Sequence, residues 1–400
     1  MSDNDDTTTA VPTRRDTPTR RDALKYGGAL AAGTALAGCS DLVGQSEETD
    51  RPSDDGSYSV TMAPMGEVSF DSPPESIFTR LTHHAGMAFA LGRGNDVNAM
   101  HAPDYYDQLW NQFTERLPGV TLDWSELYSS WDPDKGMLYE LESDIHLADP
   151  ASVNALGSWD MTDIEEVRDT VSPWFGNTFS DRHGEPPAEW ADRYEYYTLW
   201  ELFEKVAAVF REESRYDALA TIHTDLLETI EENLPPERER PTAVLAGMSD
   251  IESMYVYKLD TPGFLTAHVR PLSPIGALED DISSGDTIDM EGMLEADPDV
   301  LFALGGMSPQ TDMLRIREEL GNHDVGRELS AVQTDRVYAQ GARYQGPILN
   351  LFQLEMSAKQ LYPDIFGEWP AYTDGPYPEI SADEQLFDRR EVADIITGDR

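Results

Sequence analysis

Residues 198–234 (TLWELFEKVAAVFREESRYDALATIHTDLLETIEENL) limit most strongly how this chain can fold. Apolar residues recur there at three- and four-residue spacing, no Pro or Gly interrupts them, and Pro235-Pro236 end the pattern. A single helix of that extent would reach ~55 Å at about 1.5 Å per residue. That is longer than one small domain. The helix is therefore expected to run between two domains, with a break, if any, near Ser214-Arg215.

Strands alternate with helical segments on both sides of it. Before it come a hairpin at 58–70 turning on Pro64-Met65-Gly66, strands at 76–81, 96–100 and 144–148, and helices at 84–91, 104–117 and 136–142. After it come strands at 242–246, 254–259, 300–304 and 336–339, and helices at 289–296, 310–320 and 347–361. Such alternation predicts parallel-sheet α/β units. The halves echo each other: MLYELESDIHLAD and MEGMLEADPDVLFALGG each read as a short helix, an acidic break and an apolar strand. Two duplicated lobes are expected. The stretch 371–400 reads as an acidic tail ending in an amphipathic helix at 382–396.

Charge narrows the function. The 29 Lys+Arg against 76 Asp+Glu leave a net charge of −47, which excludes nucleic acid as an electrostatic partner. With 40% hydrophobic residues the chain still buries a full core. Self-repulsion of this size is screened in molar salt, where the Debye length is ~3 Å. An acidic surface with only five Lys resembles that of proteins from salt-adapted archaea.

Cys39 is the single cysteine, so an intrachain disulfide and thiolate-rich metal sites are excluded. Arg20-Arg21 precede a mildly apolar run, 26–37, that ends Leu36-Ala37-Gly38-Cys39. The run is too short to span ~30 Å of hydrocarbon. It reads as a twin-arginine export signal ending in a lipobox-like sequence, with Cys39 as the lipidated first residue of the mature chain. Residues 44–57 (GQSEETDRPSDDGS) read as a solvated tether.

The order of four further segments is informative: VTMAPMGEVSFDSPPESIFT, the helix end Ala90-Leu91-Gly92, LEADPDVLF, and DRVYAQGARYQGPILNLFQLEMSAKQLYP. Together they resemble the iron-siderophore/cobalamin class of solute-binding proteins of ABC importers, over about residues 60–366. The resemblance implies two α/β lobes joined by a single long backbone helix, with the ligand between them. The corresponding divisions are a signal at 1–38, a tether at 39–57, a first lobe at 58–197, the connecting helix at 198–234, a second lobe at 235–370 and the tail at 371–400. The implied ligand is a metal chelate: a ferric siderophore, a corrinoid or haem. The implied partner is an ABC permease, met by a monomer held to the outer membrane face through Cys39, and no resident cofactor is expected. Such proteins dock with one exposed Glu per lobe. In the second lobe this falls on Glu291, whereas the first-lobe position holds Gly136.

Ligands of open parallel sheets sit beyond the carboxyl ends of the strands. The loops there offer Arg80, His83, His84, His101, Tyr105 and Trp159 in the first lobe, and Met248, Arg270, Met307, Arg343 and Tyr344 in the second. Guanidinium forks suit anionic chelate oxygens, and aromatic rings suit broad apolar faces. His83 and His84 are expected to face different directions on a helix. Two other readings stay open. One is a metal-ion-binding protein using some of the eight His, although these form no HxH or HExxH. The other is an exported enzyme, although no GxSxG, Walker loop or strand-linked GxGxxG is present.

Overall fold

The computed structural model describes residues 56–398, so Cys39, the export signal and most of the tether lie outside the described residues. The first lobe opens with the antiparallel hairpin β1 (Tyr58–Met62) and β2 (Gly66–Phe70). Its sheet then forms from β3 (Ile77–Thr79), helix α1 (Thr82–Ala90), β4 (Val97–Met100), helix α2 (Pro103–Thr114), β5 (Tyr128–Ser129), helix α3 (Lys135–Leu141) and β6 (Ile145–Leu147). The strands are all parallel, in the order β5-β4-β3-β6.

The segment 198–234 is helical as expected, but it is two helices, α4 (Leu199–Phe210) and α5 (Glu213–Asn233). The break falls at Arg211, which adopts φ 55° in the left-handed region. Glu212 N–H bonds the Ala207 carbonyl and Arg211 N–H that of Ala208, the pattern of a Schellman cap. A cap of this type usually takes Gly. Here a tertiary contact holds it instead: the Arg211 guanidinium lies 4.1 Å from the Tyr58 ring and donates to Gly56. The connector between the lobes is therefore α5, 21 residues and ~31 Å long. It buries Leu219, Ile222, Leu226 and Ile230 along one stripe.

The second lobe contains β7 (Thr242–Gly247), β8 (Met254–Tyr257), β9 (Ile275–Gly276), β10 (Thr287–Ile288), helix α6 (Met290–Ala296), β11 (Val300–Ala303), β12 (Val337–Ala339) and helix α7 (Pro347–Leu361). Its sheet runs β10-β8-β7-β11-β12, with β9 beside β7. Strands β7, β11 and β12 are parallel, while β8 and β10 add antiparallel partners. The echo between halves is structural. Helices α3 and α6 each have seven residues, an Asp N-cap (Asp134, Asp289) and a left-handed C-cap (Glu142, Asp297), and each leads into a parallel strand.

The C-terminal stretch is not a loose acidic tail. Its last helix, α8 (Arg389–Thr397), starts seven residues later than the sequence pattern suggests and buries Val392, Ala393, Ile395 and Ile396. The stretch straps both lobes. Tyr377 takes the Gln112 carbonyl of α2 through its backbone, and its hydroxyl donates to Glu355 of α7 at 2.8 Å. Glu355 is fully buried and paired with Arg389. Among the described residues no helix is long and apolar enough to cross a membrane.

One contiguous core runs through both lobes. Where α1 meets the start of α7, a Cβ on Gly86 would sit 2.2 Å from the Trp110 ring and 3.1 Å from the Gly346 Cα. Gly86→Ala should therefore destabilise the protein by about 1–3 kcal/mol through overpacking, although Ala is the better helix former. Gly321→Ala is the matched control, since nothing lies within 4 Å of its added methyl. Urea unfolding of both variants checks this, and equal midpoints would show that the lobes are not in tight contact there.

Candidate ligand-binding cleft

The carboxyl ends of the parallel strands of both sheets carry the loops that meet at the seam. Arg80 follows β3. Its Nη1 donates to Ser152 Oγ at 3.1 Å, and its Nε is buried without a protein partner. The Arg80 carbonyl accepts from Ser130 Oγ, tying this loop to the one after β5. His101 follows β4 and stacks on Trp131 with ring centroids 4.2 Å apart, and Trp131 is 62% exposed. Burial, then the nearby Arg80 charge, holds His101 down at about 4, so the stack is neutral. Tyr105, near the start of α2, faces the second lobe: a Cβ on Gly305 would lie 3.2 Å from its hydroxyl.

From the second lobe come Arg343 and Tyr344, between β12 and α7. Arg343 Nη2 pairs with Asp181 Oδ2 at 2.5 Å, and its guanidinium lies 4.8 Å from the Tyr344 ring centroid. Its Nε is also buried without a partner. Burial opposes its charge, but Tyr344 and Asp181 outweigh that and raise its pKa, so Arg343 stays protonated. Thr82 of α1 donates to the Tyr344 carbonyl at 2.7 Å, which fixes this loop to the first lobe. Burial raises the Tyr344 phenol, while the charges of Arg343, Arg80 and Arg182 pull it the other way. The charges of three guanidinium groups thus act on one phenol, Arg343 in contact with its ring, in a protein of net charge −47. An anion with an aromatic or flat apolar face fits such a lining.

Of the sequence candidates, Arg343 and Tyr344 are in contact, and the His83 ring lies 5.8 Å from Tyr344. Arg80 and Tyr105 lie on first-lobe loops beside the seam. Trp159, Met248, Met307 and Arg270 do not join them. Trp159 is 6% exposed and packs 6.2 Å from Trp174 in a separate first-lobe core, with its Nε1 donating to Pro133. Met248 and Met307 are buried in the second-lobe core. Arg270 spends its Nη1 on the Thr261 and Gly263 carbonyls and Thr266 Oγ1, organising the loop that packs on Asp181. His83 and His84 do not point apart. Their rings lie 3.9 Å from each other, fully buried, with Phe264 4.8 Å from His83. Trp131, Asp181 and Arg182 were not anticipated; Asp181 and Arg182 lie in a segment, 151–197, with weak periodicity. Glu291 is exposed in the first turn of α6. Gly136 is exposed in α3, beside Lys135, which Asp163 and Glu166 hold at 2.6 and 3.0 Å.

Among the described residues no group of three or more His, Cys, Asp or Glu is placed to hold a metal ion. Two well-formed cavities, of about 570 Å³ lined by Arg317, Trp369 and Tyr372 and about 460 Å³ lined by Met161, Trp174 and Trp190, lie away from the arginine cluster.

The sequence model of the family described as periplasmic binding protein matches residues 176–344, from the seam segment to Tyr344. That stretch is similar to this family. Solved structures similar to this chain include the iron uptake ABC transporter substrate-binding protein PiuA from Streptococcus pneumoniae, at 15% identity and TM-score 0.53 over 76% of this chain and 98% of that one. Another is Helicobacter pylori CeuE with Ni(II) bound, at 14% identity and TM-score 0.55 over 77% and 90%. A third is the petrobactin-binding protein YclQ from Bacillus subtilis, at 13% identity and TM-score 0.53 over 76% and 98%. At such identities the likeness is one of fold. No curated protein matches the chain in sequence.

Buried imidazoles shape the response of this protein to acid. Burial holds His83 and His268 near 3 and His146 near 4, so the folded state keeps them neutral. In the unfolded chain each takes a proton near 6.5. Their contribution is complete above that pH and is lost as pH falls toward 4, at about 1.4 kcal/mol per pH unit per imidazole. Asp149 acts in the opposite sense. Burial pushes it up to about 6 despite hydrogen bonds from Tyr194 and from the Thr178 and Ala151 amides, so it costs stability as pH rises through 4 to 6. Several imidazoles outweigh one carboxyl. The urea midpoint at constant salt should fall between pH 7 and pH 5, and a flat profile would show that the imidazoles are solvated.

Proposed function

We propose that this protein binds an anionic metal chelate between its lobes and delivers it to an ABC import permease, as an extracytoplasmic lipoprotein anchored through Cys39. The ligand classes in view are ferric siderophores, corrinoids and haem. The observation that carries this reading is the pair Arg80 and Arg343, one from each lobe, each with a buried Nε that has no protein partner. A buried donor left unpaired costs about 1–3 kcal/mol, so acceptors arriving on a ligand would recover that penalty. The domain match and the fold support a binding role over turnover. Exposed Glu291 is the candidate permease contact of the second lobe.

Titration by intrinsic Trp fluorescence with a ferric trihydroxamate, a ferric tricatecholate, haem and cobalamin, each alone, identifies the class. Arg80→Ala and Arg343→Ala should each weaken the bound chelate by about 1.5–3 kcal/mol, and Tyr344→Ala by about 0.5–1.5 kcal/mol. Arg343→Ala also strands the buried Asp181 carboxylate, so Arg343→Ala/Asp181→Asn separates lost binding from lost stability. The effect should persist in molar salt, because a desolvated contact is screened far less than an exposed one. Wild-type affinity in both arginine variants would move the ligand elsewhere.

The anchor has its own test. Cys39→Ser should release the protein to the medium or leave an unprocessed precursor, since stable retention needs the attached lipid chains. Unchanged membrane attachment and unchanged mass in the variant would remove the lipoprotein assignment.

A further inference from the structure

Helices α3 and α6 repeat one another on the outer surface. Their second positions differ, Gly136 in one and Glu291 in the other, but their fifth positions agree: Tyr139 is 41% exposed and Leu294 36% exposed. Three residues on from the second position, each lies on the same helix face. Among the described residues nine large hydrophobic side chains are exposed, and four lie on or beside these two helices: Tyr128 and Tyr139 at the first, Tyr255 and Leu294 at the second. The Tyr128 hydroxyl donates to Glu140 of α3 at 3.3 Å. Tyr255 pairs with Thr287, two residues before the Asp289 cap of α6.

On a surface otherwise so acidic, this concentration marks an interface. Two of the rings are already held in place. The Tyr139 hydroxyl bonds Glu166 at 3.0 Å and Thr170 at 2.8 Å, and the Tyr128 hydroxyl is the one bonded to Glu140. Fixed side chains lose little freedom on association. Lys135 of α3 is occupied by Asp163 and Glu166, so the first-lobe surface meets a partner through rings more than through charge.

We propose that Tyr139 and Leu294 are paired apolar anchors that seat the protein on two equivalent apolar sockets of the import permease. The inference rests on the permease-docking reading given above. Two repeated surfaces fit a partner with two-fold or pseudo-two-fold symmetry, and Leu294 continues the face that presents Glu291. Exposed ion pairs weaken as salt rises, whereas apolar contacts do not. The apolar pair therefore supplies what Gly136 cannot.

The test uses the chelate-loaded, full-length protein and the permease–ATPase complex purified from the host membrane into nanodiscs, with stimulated ATP hydrolysis as the readout. The double variant Tyr139→Glu/Leu294→Glu should need a concentration roughly tenfold or more higher, the loss expected when an apolar anchor is replaced by charge. Its chelate affinity and unfolding midpoint should stay at wild-type values, and Tyr139→Phe should dock normally. Wild-type docking should hold from about 0.2 to about 2 M KCl, a range that screens exposed ion pairs. If the double variant docks like wild type while Glu291→Ala does not, the anchors are refuted and the docking reading stands. If the wild-type protein itself fails to engage the complex, the docking reading falls and the anchors fall with it.

Discussion

Both lobes are built against α7, all fifteen of whose residues are buried, six of them polar or charged. A helix in that position holds only if its polar groups are satisfied inside the protein. Asn350 accepts from Trp200 Nε1 of α4 at 3.0 Å and donates to Gln345. Gln353 also donates to Gln345, whose own amide reaches the Phe264 carbonyl beside the seam. Lys359 donates to Phe366, and Glu355 binds Arg389 and Tyr377 of the C-terminal strap. These bonds tie α7 to α4, to the loop that precedes it and to the C-terminal strap. The network therefore fixes register between the lobes as well as contributing stability.

The cleft inherits that rigidity. With α5 as connector, the α1–α7 contact at Gly86 and the strap across both lobes, large hinge opening would break a continuous core. For the proposed ligand, the seam around Arg80 and Arg343 would be largely preformed, with local changes in its loops cheaper than hinge opening. Placement also explains how cations persist in so acidic a chain. Arg343 is partly buried against Asp181 and two phenols, where surface charge is screened and near partners dominate.

Much of this was legible in the residues. Periodicity exposed the helical connector, and alternation exposed the two α/β lobes; the loop rule placed Arg80, Arg343 and Tyr344 at strand ends, where the structure also has them. The same loop rule also selected Trp159, Met248 and Met307, which turn into the cores, because chain position does not say which way a side chain points. Trp131 was hidden for the complementary reason. Nothing in the sequence marks this loop Trp until His101 is seen stacked on it.

What the sequence determined by itself is local: which segments are helix or strand, and where Asp caps start α3 and α6. The tertiary structure alone decided the break at Arg211, which a left-handed residue would resist without the Tyr58 ring beneath it. It also turned the acidic tail into a strap, and it joined Arg343 to Asp181 and Thr82 to Tyr344 across the seam. These features depend on contacts between residues far apart in the chain, and hydrophobic period and propensity carry no record of such partners.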